Sequence, residues 1–333
     1  VKTDPNSIFK KRIEKAVQKS IQAELKGEYP TLAGMLTHHF GWGSKGIDAG
    51  KKIRPTLLLL TCDTLGGNWE RALDAAVAIE LMHNFSLIHD DIQDRSVVRH
   101  GRPSVWKIFG VAQGINAGDI LFSLTFKVAG RLTRYFPIDK VLSVIALLAI
   151  AGTQLIGGQS LDLQFETERD VTLTEYWKMI EGKTAILFKV ATQIGALLSP
   201  ASSEDLGIFA DYGRSLGMAF QVRDDWLGIW GNEAGMGKSV SSDLIDRKKT
   251  APVIFGLQKK GRFSSDWGAN RTTTLEIQRL ARLLKEEGAM AYTEKVAEEW
   301  HKNSIKILSP ILRKYPQAFR LLDFGNSLIT RTK

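Results

Sequence analysis

Between residues 174 and 198 the chain reads "TEYWKMIEGKTAILFKVATQIGALL". Tyr176, Met179, Ile180, Leu187, Val190, Ala191, Ile194 and Leu198 recur mostly at steps of three or four, the spacing that lines one face of an α-helix rather than of a strand. Thr172 and Glu175 stand at capping-box spacing at its start. Residues 71–94 and 205–230 repeat the pattern. Strand signals are nearly absent: β-branched runs are short and no Asn-Gly turn lies between alternating apolar stretches. Breaks fall at "FGWGSKGIDAGKK", "LGGNWE", "RYFPID", "LSPASSED", "GNEAGMGKSVSSD" and "KKGRFSSDWGANRT". None is long enough for a domain linker, and no repeat of fixed period occurs. The expected fold is all-α: one domain over residues 1–333, a large helical bundle with several helices apolar on most faces. An N-terminal helix within about residues 1–27 is expected at its periphery.

Two apolar runs resemble membrane spans and are expected to be core helices. "TLLLLTC" is too short, and "VLSVIALLAIAGTQLIGG" meets Gly, Thr and Gln short of the ~20 residues a span needs. No integral membrane segment is therefore expected. The single cysteine, Cys62, excludes an internal disulfide framework and fits a reducing compartment. The opening "VKTDPNSIFKKRIEKAV" is too polar for a secretory signal, so a cytoplasmic location is expected; without an initial Met, a few leading residues are expected to be missing. The net charge of +9 is compatible with nucleic acid, anionic membrane or phosphorylated ligands. The basic residues are not gathered into one tract with interleaved aromatics, so no nucleic-acid partner is expected.

Charge has to be read locally, and two acidic clusters stand out. "SLIHDDIQD" places Asp90, Asp91 and Asp94 at the end of an apolar helical stretch, with Asp90 and Asp94 one turn apart on one face. His83 lies two turns earlier on much the same side. Parallel carboxylates at a helix C-terminus repel each other and oppose the helix dipole, unless a cation sits between them. Mg²⁺ suits such oxygen ligands and usually shares its shell with phosphate. A solvated helix end is the alternative for this cluster alone. A second cluster, "FQVRDDWLGIWG", weighs against it: Asp224 and Asp225 again end an apolar helix, with Gln221 one turn before.

Basic residues supply the complement. "GKKIRP" sets Lys51 and Arg54 before Pro55, where phosphate could meet a helix N-terminus. "VRHGRP" carries Arg99, His100 and Arg102. "EGKTA" places Lys183 and Thr184 inside an apolar helix, and "GKSVSSDLIDRKKT" offers Lys238, Asp243, Lys248 and Lys249. Each alone could be a solvated or snorkelling side chain; together with two acidic pairs they point to a diphosphate site. "GNEAGMGKS" is not a P-loop, because Asn232 replaces the required Gly and no strand precedes it. His83, His89 and His100 lack zinc-type partners, and a Gly-x-Ser-x-Gly elbow is absent.

In order along nearly the whole chain, "GKKIRP", "HNFSLIHDDIQD", "RHGRP", "NAGDILF", "GGQSLDL", "GKTA", "FQVRDD", "GKSVSSDL" and "KKT" resemble the trans-isoprenyl diphosphate synthases of the polyprenyl synthetase family. The resemblance implies an isoprenoid-synthase bundle with a central active-site cavity, a homodimer, and about three Mg²⁺ ions per site. It implies head-to-tail joining of isopentenyl diphosphate to an allylic diphosphate. Asp90 and Asp94 would bind Mg²⁺, with Asp91 supporting, and Asp224 a further Mg²⁺, with Asp225 and Gln221 nearby. Arg99, Lys183, Lys238 and Lys248 would bind the allylic diphosphate, Thr184 and Gln221 would line the cavity, and Lys51, Arg54, His83 and His100 would serve isopentenyl diphosphate. Gln159 and Asp162 match a motif on a cavity-facing helix.

Two positions depart from the family pattern. Gly228 stands where the second motif usually carries its distal Asp, and His100 where the first basic turn usually carries a second Arg. Chain length is expected to be set by Phe85, five residues and about 7.5 Å before Asp90 along the helix, with Met82, Ser86 and Ile79 contributing. An aromatic there, without a two-residue insertion in the first motif, resembles archaeal-type geranylgeranyl diphosphate synthases. The expected product is C20, with C15 farnesyl diphosphate as the alternative. A non-catalytic partner subunit would typically lack the first motif, and a class I terpene cyclase would not need Lys51, Arg54 and His83.

Overall fold

Phe9, Ile13, Val17, Ile21 and Leu25 recur every four residues along helix α1 (Ser7–Leu25) and are all buried, while lysines and glutamates fill the other face. The computed structural model describes residues 7–43, 50–168, 170–231, 242–268 and 273–330. Apart from one two-residue hairpin, the regular structure of these residues is helical, as the periodicity requires.

Contacts divide the chain into two units. The first comprises Val1–Thr153, Val190–Ala210 and Tyr315–Leu321. It contains α1, α2 (Pro30–Phe40), α3 (Ile53–Thr64), α4 (Leu73–Gln93), α5 (Val105–Phe109) and α6 (Val111–Gly130). Helix α4 is its centre. Ala75, Ala76, Val77, Ala78, Ile79, Leu81 and Met82 are all buried, so this stretch has no solvent face. Its alanines permit close approach, and α1, α3 and α6 all pack on it. The helix reading of residues 71–94 thus holds to within two residues at either end. Helix α1, expected at the periphery, is one-sided: it sends Phe9 against Trp69 and Glu14 to the buried Lys52.

The second unit comprises Gln154–Lys189, Asp211–Lys314 and Leu322–Lys333. One of its cores gathers Phe165, Tyr176, Met179, Ile180, Met218, Val222, Ile254 and Ala297; another gathers Ile229, Leu244, Val253, Phe263, Leu280 and Leu284. The predicted capping box is present, with Thr172 accepting from the Glu175 amide and Glu175 answering on the Thr172 amide.

Two elements differ from the sequence reading. Residues 174–198 are not one uniform helix. Helix α8 (Leu173–Ile180) passes through a π-helical turn (Glu181–Ala185) into α9 (Ile186–Leu197). Such a turn carries one extra residue and is typical of functional sites. The apolar run at 141–158 belongs to a 30-residue helix, α7 (Ile138–Thr167), which Gly157 and Gly158 do not end. By length and composition α7 could cross a membrane. Val141, Val144, Leu148, Ala151 and Leu155, at steps of three and four, are nevertheless buried in protein.

Candidate active site: two acidic half-sites

Asp90 and Asp91 lie in the last turn of α4, and Asp94 caps it. The Ser96 amide returns to the Asp91 carbonyl at 2.8 Å and the Arg95 amide to Ile92 at 3.2 Å. This pair of bonds is a Schellman closure, and it places Arg95 at φ 53, where glycine is usual. The turn directs the chain into the hairpin Val98–Arg99/Arg102–Pro103, whose central residues His100 and Gly101 both have positive φ. Positive φ at both is the requirement of a tight hairpin turn.

The hairpin folds Arg99 back onto α4. Arg99 Nε and Nη2 donate to one oxygen of Asp91 at 3.0 and 2.5 Å, and Asp91 is only 2% exposed. Asp91 is therefore committed to Arg99, while Asp90 and Asp94 lie half-buried on the neighbouring face. Arg102, grouped with Arg99 by sequence, goes elsewhere. It donates to the carbonyls of His38 and His39 and closes the end of α2, where Gly41 leaves room for its guanidinium. His100 is exposed at the hairpin tip.

The basic stretch before α3 is also sorted by the fold. The helix begins at Ile53, so Pro55 is its third residue, not its first. Lys51 is exposed, whereas Lys52, passed over in the sequence, is buried and contacts Glu80 and Glu14 at 3.0 Å each. Burial disfavours its charge, but the two carboxylates outweigh that and raise its pKa. Glu80 accepts from Asn84, and Asn84 Oδ1 pairs with His39 Nε2 at 2.9 Å. Arg54 Nη1 lies 3.1 Å from His83 Nε2. Burial, then the Arg54 charge, holds His83 well below its ordinary pKa, so its neutral ring accepts from Arg54. These residues form one hydrogen-bonded and ion-paired group around the middle of α4.

Phe85 is 4% exposed, and its ring meets Phe122 edge-on at 4.9 Å and His89 at 5.7 Å. Phe126 follows Phe122 at 5.2 Å. A Cβ at Gly152 would touch Phe122 at 3.1 Å and Met82 at 3.6 Å, so α7 adjoins the same aromatic group. Ser86 is buried and donates back to the His83 carbonyl at 2.8 Å. Sequence reasoning quoted Phe122, the last residue of "NAGDILF", without giving it a part in chain length, and missed Gly152; both are remote from the acidic motif.

The second half-site is built on the π-helical turn. A Cβ on Gly158 would lie 2.2 Å from the Lys183 amide nitrogen, and one on Gly182 would lie 2.7 Å from the Gln154 carbonyl. The turn and α7 therefore touch backbone to backbone, and only glycine permits it. That contact brings Lys183 onto Asp162 as an ion pair. The Thr184 hydroxyl donates to Gln221 Oε1 at 2.6 Å, and Gln221 Nε2 donates to Asp225 Oδ1 at 2.8 Å. Asp225 lies in α10 (Ser203–Trp230) and also accepts from Tyr176 Oη at 2.5 Å and the Ala251 amide at 3.0 Å. It is 3% exposed; burial, then the nearby Asp243 charge, pushes its pKa up to about 7. Asp224 is half-buried on an adjacent face. Lys249 is held at the C-terminal carbonyls of α7, including Phe165 at 3.1 Å, while Lys248 is half-buried. Gln159 is 6% exposed. Lys238 lies outside the described residues.

The donor chemistry fits Mg²⁺. Asp90 with Asp94, and Asp224, offer carboxylate oxygens at partly exposed helix positions, and no group of three His, Cys, Asp or Glu forms a closed cage among the described residues. A hard cation that keeps waters and shares phosphate oxygens suits such partial sets.

Residues 44–283 match the family described as polyprenyl synthetase. The chain is 38% identical over 286 residues to the geranylgeranyl diphosphate synthase of Methanosarcina mazei, covering 86% of this chain and 87% of that protein. It is 35% identical over 317 residues to the (2E,6E)-farnesyl diphosphate synthase of Mycobacterium tuberculosis, covering 91% and 87%. A crystal structure of geranylgeranyl pyrophosphate synthetase from Pyrococcus horikoshii matches with a TM-score of 0.88 at 30% identity, covering 98% and 97%.

Proposed function

The chain belongs to the polyprenyl synthetase family, and on that premise we propose that its main product is geranylgeranyl diphosphate, C20. As a trans-prenyltransferase it joins isopentenyl diphosphate to an allylic diphosphate, with Mg²⁺, in isoprenoid biosynthesis. The observation that carries C20 is the position of Phe85, buried five residues before Asp90 and braced by Phe122. A bulky pair there limits how far an apolar chain can grow. The similarity to a farnesyl diphosphate synthase supports C15 as the second reading.

Residues 1–333 act as one catalytic domain in this reading. Asp90 and Asp94 would hold Mg²⁺, and Asp224 a further ion, about three being expected per site. Mg²⁺ bound there would supply Lewis-acid neutralisation of the leaving diphosphate. Arg99, Lys183, Lys238 and Lys248 bind that diphosphate; Asp91 and Asp162 aim Arg99 and Lys183. Asp225 positions Gln221, and Gln221 positions Thr184, lining the cavity beside the allylic diphosphate. Lys51, Arg54, His83 and His100 bind isopentenyl diphosphate, with the neutral His83 fixing Arg54. The apolar wall of Met82, Phe85 and Phe122 excludes water from the allylic cation.

Val111 and Ile115 on α6, and Ile138, Leu142 and Ile150 on α7, are 43–61% exposed apolar side chains. Apolar side chains left exposed on these two helices would be covered by a second copy of the chain, giving a homodimer. The buried Cys62 thiol, its pKa pushed up to about 12 by burial and then by the Asp63 charge, fits a reducing cytoplasm.

The role assignments are tested with Asp90→Asn and Asp224→Asn. Each is expected to lower isopentenyl diphosphate incorporation by about 100-fold or more while leaving the helical circular dichroism unchanged. Wild-type turnover in both variants would overturn the assignments.

A further inference from the structure

Gly228 is buried in α10, and the space a side chain would take there is already filled. A Cβ built on Gly228 would lie 2.2 Å from Oδ2, 2.7 Å from Cγ and 3.1 Å from Oδ1 of Asp243. All three nearest atoms belong to one carboxylate. Its segment is anchored independently: Leu244, the next residue, is fully buried in the cluster that also holds Ile229, the residue after Gly228. The Lys248 amide closes on the Asp243 carbonyl at 2.9 Å.

The location of that carboxylate gives it a role. Position 228 is four residues after Asp224, on the same helix face and about 6 Å further along the axis. Asp90 and Asp94 stand in the same sequence relation. Asp225 is not available as the partner of Asp224, since its oxygens are taken by Tyr176, Gln221 and the Ala251 amide. We propose that Asp243 supplies the third carboxylate of the second acidic half-site: the group that position 228 lacks arrives from residue 243 and joins Asp224 in holding a divalent cation. Gly228 is then a required part of the half-site rather than a lost ligand, because any side chain there would displace Asp243. This inference rests on the reading of Asp224 as a metal ligand.

The test is Mn²⁺ binding to the full-length protein in the presence of inorganic pyrophosphate, followed by electron paramagnetic resonance of free Mn²⁺. Asp243→Asn removes the charge at nearly constant shape. Gly228→Ala pushes first against the flexible tip of Asp243, so it moves the carboxylate without opening the core. Both variants are expected to weaken the binding of one Mn²⁺ by about 10-fold or more. The double variant Gly228→Asp with Asp243→Asn, which returns the carboxylate to α10, is expected to recover most of that affinity. Wild-type affinity in Asp243→Asn would overturn the inference while leaving the role of Asp224 intact. A wild-type protein that binds no Mn²⁺ with pyrophosphate would instead overturn the metal reading itself. Should Asp243→Asn lose its helical circular dichroism, Gly228→Ala decides alone: unchanged affinity there contradicts the proposal.

Discussion

Asp91 receives both the Nε and the Nη2 of Arg99 on a single carboxylate oxygen, at 3.0 and 2.5 Å. The contact spans the sharp turn at Arg95 and ties the basic hairpin to the acidic end of α4. Asp91 is thus the residue that aims Arg99, rather than a third arm of the Asp90–Asp94 pair. Asp91→Asn keeps the shape and removes the charge. Charge-assisted hydrogen bonds contribute about 1.5–3 kcal/mol, so kcat/KM for the allylic substrate is expected to fall roughly 10- to 100-fold. Steady-state kinetics with the allylic diphosphate varied check this. An unchanged kcat/KM would separate Arg99 from the reaction.

Phe85→Ala should lengthen the product, because the ring that ends the apolar wall is removed. Phe122→Ala should act in the same direction, since Phe122 holds that ring edge-on. Sizing the dephosphorylated alcohols made by each variant is sufficient. An unchanged distribution in Phe85→Ala would sink the wall assignment.

The paired glycines of α7 should respond oppositely to alanine. Gly157 is exposed with nothing near its missing Cβ, so Gly157→Ala is expected to stabilise by about 0.5–1 kcal/mol. At Gly158 the Cβ would strike the Lys183 backbone at 2.2 Å, which no rotamer change relieves. Gly158→Ala is expected to destabilise by about 1–3 kcal/mol and to disturb the Lys183–Asp162 pair. Denaturant melts of the two variants compare them directly.

Stability should fall as pH drops below neutrality. The pKa of the buried His39 is lowered to about 3, first by burial, against the opposing Asn84 hydrogen bond; His83 is also lowered. A depressed folded-state pKa means that the unfolded chain binds the proton first. The stability from these neutral rings is present above about pH 6.5 and is lost as pH falls towards the folded values. Each ring contributes at most about 1.4 kcal/mol per pH unit over that window. Thermal melts from pH 7.5 to 5 should show the loss, and His39→Gln should flatten it. An identical slope in His39→Gln would remove His39 from this account.

The helices and the acidic end of α4 were legible because they rest on local rules: spacing for α4 and α10, Thr172 and Glu175 for the start of α8; Asp224 and Asp225, expected to end their helix, lie instead inside α10, which runs on to Trp230. What escaped depends on partners far along the chain. Lys51 and Lys52 are indistinguishable by type, yet only Lys52 turns inward, to Glu14 and Glu80. Lys248 and Lys249 divide in the same way, Lys249 closing α7. Arg99 and Arg102 are cross-strand partners in a hairpin too short to leave a strand signal, and only the distant groups each meets, Asp91 on α4 or the carbonyls ending α2, tell them apart. Tyr176 was visible as a core position, but its hydroxyl acquires a purpose only when Asp225, 49 residues later, folds beside it. The π-helical turn had one signal, the glycines of "GGQ" and "EGK", which periodicity alone passes over.

The central claim is an elongating synthase whose chain stops at C20. It is tested most directly by giving the purified protein Mg²⁺, isopentenyl diphosphate and, separately, C5, C10 and C15 allylic diphosphates, then sizing the dephosphorylated products. A linear C20 alcohol is expected from every accepted primer, and no product when Mg²⁺ is chelated. Products that stop at C15, or run past C20, would contradict the placement of the wall at Phe85; no elongation from any primer would contradict the activity itself.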